Sequence, residues 1–275
     1  MKKTKKRIKA LAKRLNKNFR STEMQVLPGQ LAFFFLLMLV PLIALVFAIS
    51  SNFNVSNSFL NRLIANELPN VFVQMIETIS KGSSANINNI IFYISALILA
   101  SNGTYTIIVV SNRIYHIKNR GYLYDRAKSV GILFIMVLLF LFIMIVPVLG
   151  NQIVTIISTF FHNDDIGRYI RITYKLFNLP ISYFIIFWLI KIIYIMAPDA
   201  KISRKNVNYG VLFTSLSWVL FTKLYAIYIG LTANVNSLYG NISNIIILMW
   251  WIYFLSYIFV MGMALNVSKY EEKEK

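Results

Sequence analysis

YGNISNIIILMWWIYFLSYIFVMGMALN, residues 239–266, contains no charged side chain, and the charge-free run extends back to Lys223 and forward to Lys269. Each helical residue advances the chain by about 1.5 Å, so roughly 20 apolar residues cross the hydrocarbon core of a bilayer. The stretch exceeds that length and predicts a transmembrane helix rather than the core helix of a soluble domain. Working outward from it, the same pattern recurs. Hydropathy predicts six spans at about 30–49, 89–111, 130–157, 176–197, 207–232 and 242–267. Pro28 stands near the start of the first and Pro41 inside it. Pro147 kinks the third, and Pro198 stops the fourth. The expected fold class is therefore an all-α integral membrane protein with six transmembrane helices. A basic arm (1–22) precedes the membrane domain (23–268), and a charged tail (269–275) follows it.

Composition agrees. The chain of 275 residues is 57% hydrophobic and 14% charged, with a mean hydropathy of +0.63, too apolar for a soluble domain of this length. A net charge of +18 would point to nucleic acid in a soluble protein. In a membrane protein it reflects the enrichment of Lys and Arg on the cytoplasmic side, and nucleic acid is the weaker reading. No cysteine is present, which excludes disulfides and thiolate metal sites. His116 and His162 are the only histidines, so no metal or other cofactor is expected.

The connecting charges orient the bundle. With the N-terminus inside, 21 cations fall on the cytoplasmic side and 5 outside, while Lys191 and Lys223 lie within spans. Both termini are therefore expected inside, with the segment from Arg113 to Lys128 cytoplasmic. In the arm, Ile8, Leu11, Ala12, Leu15 and Phe19 recur at helical spacing among ten cations. An amphipathic helix of this kind lies on anionic lipid, the expected partner of residues 1–20. The outer segment 51–88 holds two amphipathic stretches separated by Pro69, which predict interfacial helices capping the bundle or a lid over it.

Several short motifs resemble the YihY/BrkB family of bacterial inner-membrane proteins. They are Leu31-Ala32-Phe33 through Val40-Pro41-Leu42, Asn112-Arg113-Ile114-Tyr115 followed by Asn119-Arg120, then Pro198, Gly210, Trp218, Tyr239-Gly240, Trp251-Ile252-Tyr253 and Gly262 to Asn266. Their order covers nearly the whole chain. The chain departs where the family commonly has Pro-Gly-Ala, here Tyr209-Gly210-Val211, and where it has Gly-Ala-Glu, here Gly262-Met263-Ala264-Leu265. The resemblance implies a multi-pass protein of the bacterial cytoplasmic membrane, linked to envelope integrity and to export of lipids or solutes. An old ribonuclease label attached to the family finds no support in the residues, because no His/Asp cluster for two metals can be assembled.

Ionisable residues within spans are the default functional candidates, since burying charge in lipid is expensive. Lys223 lies opposite the polar face of the fifth span, with Leu216, Val219, Ala226 and Ile227, and is expected to snorkel. Lys191 has Phe184, Phe187, Trp188 and Tyr194 on its face, so cation–π packing is available. It is the cation assigned here to an anionic substrate. Neither lysine has an acidic partner within any span, which argues against a carboxylate relay. The second span is polar at Ser101, Asn102, Thr104, Tyr105, Thr106, Ser111 and Asn112, and Ser101, Tyr105 and Asn112 share one face. The fifth carries Thr214, Ser217, Trp218 and Tyr225 on one face. The structural explanation is helix–helix hydrogen bonding. The functional one is a polar path between spans two and five, lined by both faces. Trp250, Trp251 and Tyr253 are mid-helix and read as packing or cavity lining. Pro41 and Pro147 are hinges or ordinary kinks. No nucleophile–base pair, P-loop or dinucleotide motif is present, so no enzyme is expected. The function expected is passage of an envelope lipid or anionic solute. The alternative is a non-transporting scaffold for envelope integrity, and a homo-oligomer is left open.

Overall fold

The computed structural model describes residues 22–52, 87–138, 180, 183–200, 202–232 and 241–274. Among these residues every regular element is a helix. They are α1 (Thr22–Asn52), α2 (Ile87–Ile114), α3 (described over 122–138), α4 (Tyr183–Met196), α5 (Asn208–Thr232) and α6 (Asn241–Glu274). Three stretches are long and apolar enough to cross a bilayer: Ile94–Ile114, Asn208–Tyr228 and Ile246–Val267. The basic arm up to residue 21, the outer segment 53–86, Pro147, Tyr239 and Gly240 lie outside the described residues.

Two helices begin earlier than hydropathy places them. Helix α1 opens at Thr22, so Pro28 is interior rather than a start signal, and the helix continues through Pro41. Helix α3 opens at residue 122 instead of 130. Its first two turns carry Asp125, Arg126 and Lys128, which lower the local hydropathy. Yet Asp125, Ser129, Ile132 and Leu133 are all buried, and that spacing is one helix face. Helix α6 also runs on past the expected end of its span, into the charged tail.

Helix α1 packs on α2 and α6, and α6 packs in turn on α5 and α2. Two apolar clusters hold these contacts. One is built from Leu27 and Leu31 of α1, Ile107 and Ile108 of α2, Ile190 and Tyr194 of α4, and Phe259 and Met263 of α6. The other joins Met38 and Leu42 of α1 to Ala96 and Ala100 of α2 and Leu133 and Val137 of α3. Small residues set how closely the helices approach, as expected where lipid removes the hydrophobic drive between them. A β-carbon on Gly103 would sit 2.6 Å from Met38 Sδ, and one on Gly262 would collide with the Thr214 hydroxyl.

Large apolar side chains point outward along every helix. Phe33, Ile98, Phe134, Trp188, Leu220, Ile227 and Trp250 are all at least half exposed. A soluble protein would not present so much apolar surface, whereas a lipid-embedded one must. Trp250, expected in packing or a cavity, is 68% exposed and is corrected to the lipid-facing surface. Lys223 is exposed as well, beside Leu216, Leu220 and Ile227, in line with a lysine that reaches outward.

Candidate functional site

The polar residues of α2 do not face α5. They face α3. The Thr104 hydroxyl donates to the Ser129 carbonyl at 2.8 Å, and the rings of Tyr105 and Tyr122 meet edge to face at 5.9 Å. Arg126 reaches from α3 to Asn102 Oδ1 at 2.6 Å and to the Ile98 carbonyl at 3.0 Å. The Ser101 hydroxyl is fully buried and satisfied by its own helix, at the Ile98 carbonyl.

The polar face of α5 meets α4 and α6. Thr214 and Tyr194 of α4 bond through their hydroxyls at 2.8 Å, and Tyr194 donates to the Phe259 carbonyl of α6 at 2.6 Å. The Trp218 indole donates to the Leu255 carbonyl at 2.9 Å. Tyr225 stacks on Trp251 with ring centroids 5.3 Å apart, and Ser217 is half-buried. The two faces that the sequence reading paired across spans two and five are thus engaged with different helices: α2 with α3, and α5 with α4 and α6.

Arg126 is the consequential member of the α2–α3 seam. Ile98 stands 16 residues before the end of α2 at Ile114, or about 24 Å along the axis. The guanidinium therefore lies beside the apolar stretch Ile94–Ile114, half-buried, and its partners among the described residues are neutral oxygens. Beside a stretch that spans a bilayer, a cation is costly unless an anion or water meets it. Lys191 has a different environment. Its ammonium sits 5.8 Å from the Phe187 ring centre and 5.1 Å from that of Trp188, which is itself 54% exposed. Cation–π packing is realised with these two rings, at the periphery, while Tyr194 is buried and turned to α5 and α6.

At the end where α2 stops and α3 begins, a second constellation is closed off from solvent. Helix α2 ends in a left-handed turn at His116, φ 55°, with Ile117 N–H donating to the Asn112 carbonyl at 2.8 Å and His116 N–H to Arg113 at 3.1 Å. This is a Schellman cap, with His in the position usually held by Gly. His116 is thereby a capping residue. The cap brings Asn112 against the turn after α4. The Asn112 amide donates to Asp199 Oδ2 at 2.5 Å and to Asn119 Oδ1 at 2.9 Å, and its carbonyl accepts from Asp199 N–H at 2.9 Å. Lys128 donates to the carbonyls of Ala197 and Pro198 and pairs with Asp199 Oδ1 at 2.7 Å. Arg120 donates to the Asp199 carbonyl at 2.9 Å. The bare carbonyls at the end of α4 are satisfied by cations, as a helix C-terminus requires. Burial would raise the Asp199 carboxyl, but the hydrogen bonds from Lys128 and Asn112 outweigh it and hold the group below the ordinary carboxylate range.

Asp125 adjoins this cluster. It is fully buried, and neither carboxylate oxygen accepts a hydrogen bond. Burial, and then the neighbouring Asp199 charge, push its carboxyl above the ordinary range, against the opposing pull of Lys128 and Arg120. Sequence reasoning missed both aspartates because it searched for acids inside hydropathy-defined spans. The available signal was the i, i+4, i+7 spacing of Asp125, Ser129 and Ile132. Among the described residues no group of three or more His, Asp and Glu is placed to hold a metal.

The motif residues otherwise converge in two places. Asn112, Arg120 and Pro198 meet at the end of α4. Gly210, Gly262 and Asn266 meet at the crossing of α5 and α6, where Gly210 N–H donates to Asn266 Oδ1 at 2.7 Å and the Tyr115 hydroxyl lies against the Asn266 amide. Trp251 and Tyr253 sit farther along α6, Tyr253 being 39% exposed.

The family model described as Virulence factor BrkB matches residues 15–275. The chain is similar to the ribonuclease-like protein YfkH of Bacillus subtilis (strain 168), 27% identical over 250 residues that cover 90% of each chain. It is also similar to a UPF0761 membrane protein of Prosthecochloris aestuarii (strain DSM 271 / SK 413), 27% identical over 257 residues. That match covers 87% of this chain and 56% of the relative's length. No solved structure matches.

Proposed function

The chain belongs to the Virulence factor BrkB family, and we propose that it moves an anionic envelope lipid or solute across the bacterial cytoplasmic membrane. In this reading it is a six-span bundle with both termini inside, and the anionic group travels along the α2–α3 seam. Arg126 is the cation that meets it, with Asn102 and Tyr105 as polar neighbours. The observation that supports the reading is the place of the Arg126 guanidinium beside a bilayer-length apolar stretch, where its partners among the described residues are neutral oxygens. A guanidinium is suited to phosphate and carboxylate because it presents paired donors in one plane. No catalytic step is assigned, and the ribonuclease-like name stays with YfkH.

The test is reconstitution of the purified full chain into liposomes containing fluorescent phosphatidylglycerol, or loaded with a fluorescent organic anion. Translocation faster than in empty liposomes supports the reading, and rates equal to empty liposomes for both cargoes overturn it. Deleting residues 1–20 separates it from a non-transporting scaffold. A transporter keeps most of its flux without the arm, whereas a scaffold loses its cellular role while still inserting in the membrane.

A further inference from the structure

We infer that Asp125 and Asp199 form a proton-binding site, holding one proton between them where α3 opens against the end of α4. The inference does not depend on what the protein transports. It starts from an imbalance between two buried carboxyls. Asp199 is fully supplied: Lys128 takes one oxygen and Asn112 the other. Asp125 is supplied with nothing, because both its oxygens are shut away from water and accept no hydrogen bond.

A carboxylate buried without donors pays its whole desolvation penalty, and proteins avoid this by keeping such a group neutral. The groups facing Asp125 allow it. Lys128, on the same helix, is committed to Asp199 and to two carbonyls. Arg120, from the turn before α3, is exposed and donates to the Asp199 carbonyl and the Tyr124 hydroxyl. Asn112 of α2 is uncharged, and its amide hydrogens go to Asp199 and Asn119. Among the described residues the remaining charged neighbour is the Asp199 carboxylate, which lies within hydrogen-bond reach of Asp125 and disfavours a second negative charge beside it. A protonated Asp125 turns that repulsion into a hydrogen bond donated to Asp199. The two carboxyls then titrate as a pair rather than singly.

A metal cation fits the same place poorly, since it would stand against the Lys128 ammonium. The site also lies in the joint that ties α2, α3 and the end of α4 together. Loss of the proton puts two like charges face to face under the Lys128 latch, so occupancy of the site bears on whether that joint stays closed.

Infrared spectroscopy of the full-length protein in lipid nanodiscs reads the proton directly. The expected result is a protonated-carboxyl carbonyl band at neutral pH that shifts in D2O and fades as pH is raised. It should be absent from Asp125→Asn and present, at a shifted frequency, in Asp125→Glu. In Asp199→Asn it should titrate at lower pH, because the like charge is gone. Absence of such a band from the wild type at neutral pH overturns the inference. So does a band that persists in Asp125→Asn, or one abolished at fixed pH by sodium or potassium, which would make this a cation site. Because the readout is the proton, it is independent of whether vesicles show flux.

Discussion

Lys128 of α3 and Asp199, three residues past the end of α4, form an ion pair of 2.7 Å in which the aspartate side chain is 1% exposed and the lysine 15%. The two residues are 71 apart in sequence. Their contact fastens the start of α3 to the end of α4, and the same ammonium caps two helix carbonyls. Removing one partner of a buried pair strands the other, at a cost of about 3–5 kcal/mol. Lys128→Met should therefore lower the thermal midpoint in detergent strongly. Lys128→Met combined with Asp199→Asn should recover part of the loss, since no charge is then left unpaired. A double variant no better than the single one would mean that the capping of α4, not the ion pair, dominates.

The same pair sets a response to acid. The folded Asp199 carboxyl is held below its ordinary value by the Lys128 and Asn112 hydrogen bonds, against the opposing effect of burial. Its contribution to stability is present above the ordinary carboxylate range and is lost as pH falls through the folded value. Thermal midpoints should drop on acidification below that range in the wild type. The drop should be smaller in Asp199→Asn, which has lost the Asp199 carboxyl and its paired, hydrogen-bonded charge.

Where α5 crosses α6, Gly262 lies against the Thr214 and Tyr194 hydroxyls and the Gly210 carbonyl. Thr214 and Tyr194 are buried and bonded to each other, so neither can give way freely. Gly262→Ala should cost about 1–3 kcal/mol by overpacking. Gly29→Ala, where nothing lies within 4 Å of the added carbon, is the control and should be close to neutral. Chemical or thermal unfolding of both variants in one detergent decides the comparison.

The left-handed His116 cap yields a prediction of opposite sign. A non-glycine residue in this region carries strain of about 1–2 kcal/mol, partly offset by the greater freedom that glycine has when unfolded. His116→Gly should then stabilise the protein by roughly 0.5 kcal/mol or leave it unchanged. His116→Val should destabilise it, because β-branching is least tolerated at positive φ. A destabilising His116→Gly would show that the imidazole does more than cap.

What hydropathy reads well is the lipid-facing character of the chain. Residues 207–232 and 242–267 were expected as spans, and α5 and α6 cover them because these two segments are apolar and, apart from Lys223, uncharged. The closure of α4 before Pro198 was legible for a local reason, since proline cannot continue the helix ladder. Partnerships were not legible. Ser101, Tyr105 and Asn112 share a face of α2, but periodicity says nothing about which helix that face meets. For Tyr105 the answer came from α3, whose first turns look like a loop because Asp125, Arg126 and Lys128 are charged, and for Asn112 from the turn after α4. For the same reason the buried aspartates went unnoticed. A hydropathy window averages away a charged residue whose charge is satisfied by a residue dozens of positions distant. Lys191 drew attention because it interrupts an apolar run, while Arg126, anchored outside the run and reaching into it, did not.

The most direct test of the proposed role compares Arg126→Gln with Lys191→Gln in the same liposomes, at matched reconstitution, by the initial rate of anionic-lipid or organic-anion translocation. The account predicts that Arg126→Gln slows translocation about tenfold or more, equivalent to a barrier raised by about 1.4 kcal/mol, while Lys191→Gln stays near the wild-type rate. A wild-type rate in Arg126→Gln, or the larger loss in Lys191→Gln, would contradict it.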